Sequence, residues 1–233
     1  MSYHLLNKKR VLITAGPTRE SIDPVRFISN HSSGKMGYAL AEEFLKLGAQ
    51  VILVSGPVCL KLEHPHLKII SVESANDMYM ACCLHFESVD IAVFSAAVAD
   101  YRPARIASQK IKKEDDSFSI DLIRNVDIAG EFGKYKSPHQ LSIGFALETN
   151  NEVNHAISKL KRKNFDMVVL NSMNDARATF GYDTNKISLI STDMQQRDFP
   201  LKPKKEVAKD IVNAISALLL NKQCLEEIIK LDE

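Results

Sequence analysis

Apolar positions in this chain fall in short, nearly continuous blocks: RVLITA (10–15), QVILVS (50–55), LKIISV (67–72), DIAVFSA (90–96), QLSIGFA (140–146) and DMVVLN (166–171). Blocks of this length, rich in Val, Ile and Leu, predict parallel strands covered on both faces. Between them the apolar spacing changes to three and four, which predicts helices over 36–48, 74–87, 127–136, 152–164 and 205–222. Gly48 supplies a stop for the first helix. Ser74 with Asp77 forms an S-x-x-D start for the second. Alternation of strand and helix predicts an α/β, Rossmann-like doubly wound fold: a mostly parallel sheet with helices on both faces and right-handed crossovers.

Two stretches break the alternation. Residues 100–126 carry D-Y-R-P, then K-I-K-K-E-D-D, then an alternating FSIDLI. The last reads as a half-exposed antiparallel strand, with EDDS as a turn or flap. Residues 186–200 (KISLISTDMQQRDFP) read as a short hairpin before Pro203 and the closing helix. No repeat, low-complexity tract or domain boundary is visible. Residues 1–233 therefore read as a single domain, with a flap at about 103–124 and an extra hairpin at about 186–200.

Composition narrows the partners. With 45% hydrophobic and 25% charged residues and a formal net charge of +1, nothing global argues for nucleic acid or a membrane surface. Cys59, Cys82, Cys83 and Cys224 form no C-x-x-C, and read as reduced thiols of a cytoplasmic protein. Residues 1–10 lack the apolar core of a signal peptide, and IVNAISALLL (211–220) is too short to span a bilayer, so neither export nor an anchor is expected.

The candidate chemistry gathers at strand exits. The segment between the strand at 10–15 and the helix at 36 is longer than an α/β connection needs, and such loops are usually functional. S-S-G-K-M-G (32–37) suits an anion at a helix start; the other reading is a small-residue cap with tight helix–sheet packing. Gly16 lies far from Gly34 and no G-x-G-x-x-G is present, which weakens any case for NAD. Arg19, Arg26, Asn30, His31, Ser32, Ser33 and Lys35 crowd the same stretch, as a phosphate and a carboxyl group would require. S-A-A-V-A-D-Y-R-P (95–103) follows a buried strand, where ligands of open α/β sheets bind, and Asp100 is either a sugar-hydroxyl acceptor or a turn residue. Lys110 and Lys112 fall on one side of an extended segment and suit either a polyphosphate or solvent. Lys159 and Lys163 share one helical face after G-F-A-L-E-T (144–149). No Ser-His-Asp, Cys-His or H-E-x-x-H arrangement is readable.

Four segments together carry a resemblance: ITAGPTRESIDPVRFISNHSSGKMG (13–37), AAVADYRP (96–103), KIKK (110–113) and GFALETN (144–150). They resemble phosphopantothenate–cysteine ligase, from about residue 8 to the closing helix. In many bacteria this unit follows a flavin-dependent decarboxylase. The chain starts at the ligase strand, so it resembles the stand-alone bacterial form and should bind no flavin. The resemblance implies that 4'-phosphopantothenate and L-cysteine are joined through an acyl-cytidylate in coenzyme A biosynthesis. CTP would be the co-substrate rather than ATP, with Mg2+. It implies Asn30 and Lys110 as catalytic residues, Lys110 lying by the triphosphate. Nucleotide contacts would come from Phe94, Ser95, Ala96, Asp100, Lys110, Val126, Asp127, Ile128, Ala129, Phe145, Lys159 and Lys163. Val126 stands where the family has proline. Substrate contacts would come from Arg26, Asn30, Ser33, Gly34 and Ala97. Metal ligands are not assigned. It also implies a homodimer formed by elements outside the main sheet, with FSIDLI and KISLIS as candidates. The alternatives are an NAD(P)-binding Rossmann oxidoreductase, or a non-catalytic nucleotide-binding protein on the same fold. The absent G-x-G-x-x-G and the lack of an acid after the second strand (VSGPV, 54–58) count against the first.

Overall fold

The computed structural model describes residues 5–112, 117–172 and 182–231, with side chains described up to residue 224. Lys113 and the Glu114–Asp116 part of the expected flap turn lie outside the described residues. The strands are β1 (Arg10–Ala15), β2 (Arg19–Ser21), β3 (Phe27–Ser29), β4 (Gln50–Ser55), β5 (Leu67–Ser71), β6 (Ile91–Phe94), β7 (Tyr101–Pro103), β8 (Leu122–Arg124), β9 (Leu141–Glu148), β10 (Met167–Ser172), β11 (Thr184–Asn185), β12 (Ile187–Ser191), β13 (Gln196–Asp198) and β14 (Lys202–Pro203). The helices are α1 (Lys35–Lys46), α2 (Ala75–Cys83), α3 (Ile128–Tyr135), α4 (Glu152–Arg162) and α5 (Lys204–Leu231).

An eight-stranded sheet runs β13-β12-β10-β9-β6-β1-β4-β5. From β10 to β5 every pairing is parallel. The chain winds outward from β1 through β4 to β5, then returns to β6 on the other side of β1. That reversal is the topological switch point of a doubly wound sheet, where a crevice opens beyond the strand ends. The period-two pleat of β1 divides the core. Val11, Ile13 and Ala15 pack with α1 and α5, whereas Leu12 packs with α2, α3 and α4. Each fully buried side chain such as Phe44 or Ile13 stabilises the fold by roughly 1.5–3 kcal/mol before entropy is counted.

The expected strands and helices form within a few residues of their sequence bounds, except that the closing helix, expected to end at 222, runs on to Leu231; four further differences stand out. The helix expected over 74–87 stops at Cys83, because Phe86 turns into the core 4.4 Å from the Phe132 ring and forms a separate 3-10 turn. Of FSIDLI only Leu122 and Ile123 fall in a strand, β8, since β7 offers just Tyr101–Pro103 as a partner. KISLIS forms the expected hairpin, but β12 pairs antiparallel with β10 and so extends the main sheet rather than standing outside it. Finally, the overlong segment after β1 holds a hairpin. β2 pairs with β3 around a turn in which the Asp23 carboxylate accepts the Val25 and Arg26 N–H groups at 2.8 and 2.9 Å.

Candidate functional site

A cavity of about 700 Å³ lies over the switch point, between the ends of β1 and β6. Its floor is the start of α1. Gly34, at φ +75°, turns the chain in a left-handed conformation suited to glycine. Gly37 lets α1 lie against β1: a Cβ there would stand 2.6 Å from the Ala15 Cβ. The first-turn N–H groups of α1 therefore face the cavity without helical acceptors, beside the lining residues Ser33 and Lys35.

One wall is the β6 exit, Phe94 to Asp100. It is fixed by threonines: the Ala96 N–H donates to Thr14 Oγ1 (3.2 Å) and the Ala99 N–H to Thr18 Oγ1 (3.0 Å). The Ala97 N–H donates to the Gly16 carbonyl at 2.9 Å. Asn30 leaves the β2–β3 hairpin and clamps this exit, donating through Nδ2 to the Ala97 and Val98 carbonyls at 3.1 and 3.0 Å. Both donors are thereby used, and Oδ1 stays an acceptor with no partner among the described residues. The Asp100 carboxylate also lines the cavity without a hydrogen bond among the described residues.

The opposite wall is cationic. Val126 to Ala129 lead into α3, and the N-cap Asp127 accepts the Gly130 N–H at 3.1 Å, so the turn forms with valine at 126. Lys163 donates to Asp127 at 2.7 Å. Burial alone would raise the Asp127 carboxyl; Lys163 and the Gly130 N–H outweigh it and hold it below the usual range. Lys159, one turn earlier on α4, makes no hydrogen bond among the described residues. Burial, then the neighbouring Lys163, pushes its ammonium below the ordinary value. Lys204 is lowered in the same way, by burial and then by Lys35. Phe145 and Phe94 supply the apolar surface.

The structure thus brings Asn30, Ser33, Gly34, Phe94 to Ala97, Asp100, Val126 to Ala129, Phe145, Lys159 and Lys163 around one cavity. Arg26 and Lys110 are not among the lining residues. Arg26 is held by Asp23, and Lys110 is exposed on the neighbouring segment. The sequence reading missed Arg124, Asn125, Arg162, Asn171, Asn185 and Lys204. Arg124 and Asn125 directly precede V-D-I and were legible by adjacency; Lys204 carried no local signal, because only the path of α5 brings it here. Among the described residues that line the cavity none is His or Cys. Burial pushes the Cys82 thiol up to about 12. Among the described residues no cluster of His, Cys, Asp and Glu could hold a metal ion by itself. A magnesium ion would suit this cavity if phosphate oxygens and water supplied most of its ligands.

A Rossmann-ordered sheet whose switch-point cavity joins a helix start, an unpaired carboxylate and half-buried lysines defines a doubly wound α/β protein with a polar, cation-rich cavity where ligands of such sheets bind. The chain belongs to the DNA/pantothenate metabolism flavoprotein C-terminal domain family, which it matches over residues 6–219. It is 45% identical over 213 residues to the coenzyme A biosynthesis bifunctional protein CoaBC of Bacillus subtilis (strain 168), covering 91% of this chain and 52% of that protein. It is 50% identical over 214 residues to a cysteine/cysteine sulfinic acid decarboxylase of an unknown prokaryotic organism, covering 92% and 60%. The chain therefore spans only about half to three fifths of these relatives' length. The crystal structure of a CoaBC C-terminal domain superposes with a TM-score of 0.79 at 45% identity, covering 93% of this chain and 98% of that one. A Cab2 mutant in complex with phosphopantothenate-cysteine shares the fold, with a TM-score of 0.74 at 18% identity over 95% and 91% of the two chains.

Proposed function

We propose that this chain is a phosphopantothenate–cysteine ligase that activates the substrate carboxylate with CTP and acts in the cytoplasm as a homodimer. The observation that carries this is the cavity's chemistry: amides, lysines and the Asp100 carboxylate converge, and among the described lining residues no serine or threonine has a histidine beside it to act as a base. Such a site suits attack at phosphorus, which needs positioning and charge neutralisation rather than a covalent enzyme intermediate. The relationship to CoaBC and the Cab2 complex support the substrate pair.

In the first step a carboxylate oxygen of 4'-phosphopantothenate bonds to the α-phosphorus of CTP, and pyrophosphate leaves. In the second, the cysteine amine bonds to the acyl carbon, loses a proton to solvent, and CMP leaves with the former carboxylate oxygen. Asp100 accepts ribose hydroxyls. Phe94, Ser95, Ala96, Phe145 and the 126–129 turn hold the nucleotide. Lys159, Lys163 and Lys110 of the neighbouring segment neutralise phosphate charge; Mg2+, held mainly by phosphate oxygens and water, would supply further charge neutralisation. Ser33, Gly34, Ala97 and Arg26 serve the pantothenate side. Asn30 Oδ1 is an acceptor for the incoming amine. The exposed apolar side chains of Val25, Phe27, Ile106, Phe118, Leu122 and Ile123 are the candidates for the dimer surface. The purified protein with phosphopantothenate, cysteine, CTP and magnesium should release pyrophosphate and form the amide product by mass spectrometry. CTP binding with no pyrophosphate under any of these conditions would instead mark a non-catalytic nucleotide-binding protein.

A further inference from the structure

We propose that Asp23 and Arg26 form a positioning clasp that ties the Lys110 segment to the β2–β3 hairpin, and so sets where the Lys110 ammonium stands relative to Asn30. This rests on the ligase reading for Lys110; the clasp itself rests on geometry alone. The Asp23 side chain is fully buried, although Pro24 and Val25 beside it are exposed. Its two oxygens do different work. Oδ1 closes the turn, accepting the Val25 and Arg26 N–H groups. Oδ2 faces the other way and accepts Arg26 Nε (3.0 Å), Arg26 Nη2 and, 88 residues along the chain, the Ile111 N–H (3.1 Å). Arg26 Nη2 also donates to the Ile111 carbonyl at 3.0 Å. One ion pair therefore engages both backbone groups of Ile111. A third bond, from the Ala107 N–H to the Ile22 carbonyl at 3.0 Å, holds the segment three residues before Lys110.

The other end of the same hairpin is fastened to the cavity. The Ser29 hydroxyl donates to the Thr18 carbonyl at 2.8 Å, and Asn30 clamps Ala97 and Val98. The turn needs only Oδ1. The Oδ2 contacts add nothing to the hairpin's own closure beyond orienting Arg26; their distant acceptor and donor is Ile111. Lys110 itself makes no hydrogen bond among the described residues, so its backbone position is set through its neighbour. A charge placed an ångström or more from the developing phosphate charge loses much of its effect on the rate.

Asp23→Asn separates the two roles. It can keep Oδ1 for the turn while its NH2 group opposes the Ile111 N–H and the Arg26 guanidinium. The expected result is an unchanged circular dichroism spectrum, CTP affinity within about twofold, at least tenfold lower kcat for pyrophosphate release, and at least tenfold faster tryptic cleavage after Lys110 and Lys112. In a Lys110→Gln background, Asp23→Asn should lower kcat little further. Arg26→Lys, which keeps the charge but not the double reach, provides a second variant if Asp23→Asn misfolds. Unchanged cleavage in both variants overturns the clasp, whether or not the protein is active. Full additivity with Lys110→Gln overturns the link to Lys110. An inactive wild type with the cleavage difference intact would defeat the ligase reading while leaving the clasp standing.

Discussion

Asn30 can be oriented in only one way, because both of its neighbours are carbonyl oxygens. Asn30→Asp would set a carboxylate against them and remove two hydrogen bonds, each contributing about 1 kcal/mol. We expect product formation to fall at least tenfold with the nucleotide still bound; a rapid-quench assay giving wild-type turnover would remove Asn30 from the reaction. Lys159 offers a second test. Its ammonium is held below the ordinary lysine value of 10.5 by burial and by Lys163. An anionic nucleotide would raise it again. Binding should therefore take up protons at alkaline pH, between the free and bound pKa values. Calorimetry in buffers of different ionisation enthalpy should detect the uptake, and Lys159→Met should abolish it while weakening affinity. Equal uptake in both proteins would contradict this placement.

At the scale of elements, the contact between α1 and β1 aims the helix start into the cavity. Gly37→Ala would place a methyl group 2.6 Å from the Ala15 Cβ, an overpacking that costs about 1–3 kcal/mol. Thermal unfolding should shift down by several degrees; an unchanged midpoint would mean that α1 does not need this approach. The β2–β3 hairpin has its own signature. Asp23 is held far below its ordinary value of 3.8, chiefly by Arg26. A carboxyl whose folded pKa is depressed contributes stability that is complete above its unfolded pKa and is lost as the pH falls through the folded value. Wild type should therefore lose more stability than Asp23→Asn between pH 4 and pH 2, measured by denaturant midpoints. The central strands were legible because each is a continuous apolar block buried on both sides, as in VLITA and VILV. The hairpin was not, because its three-residue strands depend on one buried carboxylate rather than on a periodic pattern. Likewise Phe94, Asp100 and Lys159 could be found at strand exits and on a helix face. Lys204 could not, since tertiary winding alone brings α5 beside α1.

At the scale of the whole molecule, one sheet order accounts for the placement of the chemistry. The chain reverses direction across β1, and every segment that lines the cavity is an exit from β1, β6, β9 or β10 or a residue that packs over one. Outside that sheet, apolar side chains are exposed on β3 (Phe27), on β8 (Leu122 and Ile123) and at Ile106 and Phe118. Sedimentation should report a dimer, and Phe118→Glu with Ile123→Glu should give a folded monomer; a wild-type monomer at micromolar concentration would contradict the proposed assembly. The central claim is that this cavity activates a carboxylate by attack on the α-phosphorus of a nucleotide. Its most direct test is turnover of phosphopantothenate carrying 18O in its carboxylate, with cysteine, CTP and magnesium. The account predicts one 18O atom in the released CMP and none in pyrophosphate or inorganic phosphate. Label in inorganic phosphate, or product formed without label in CMP, would contradict it.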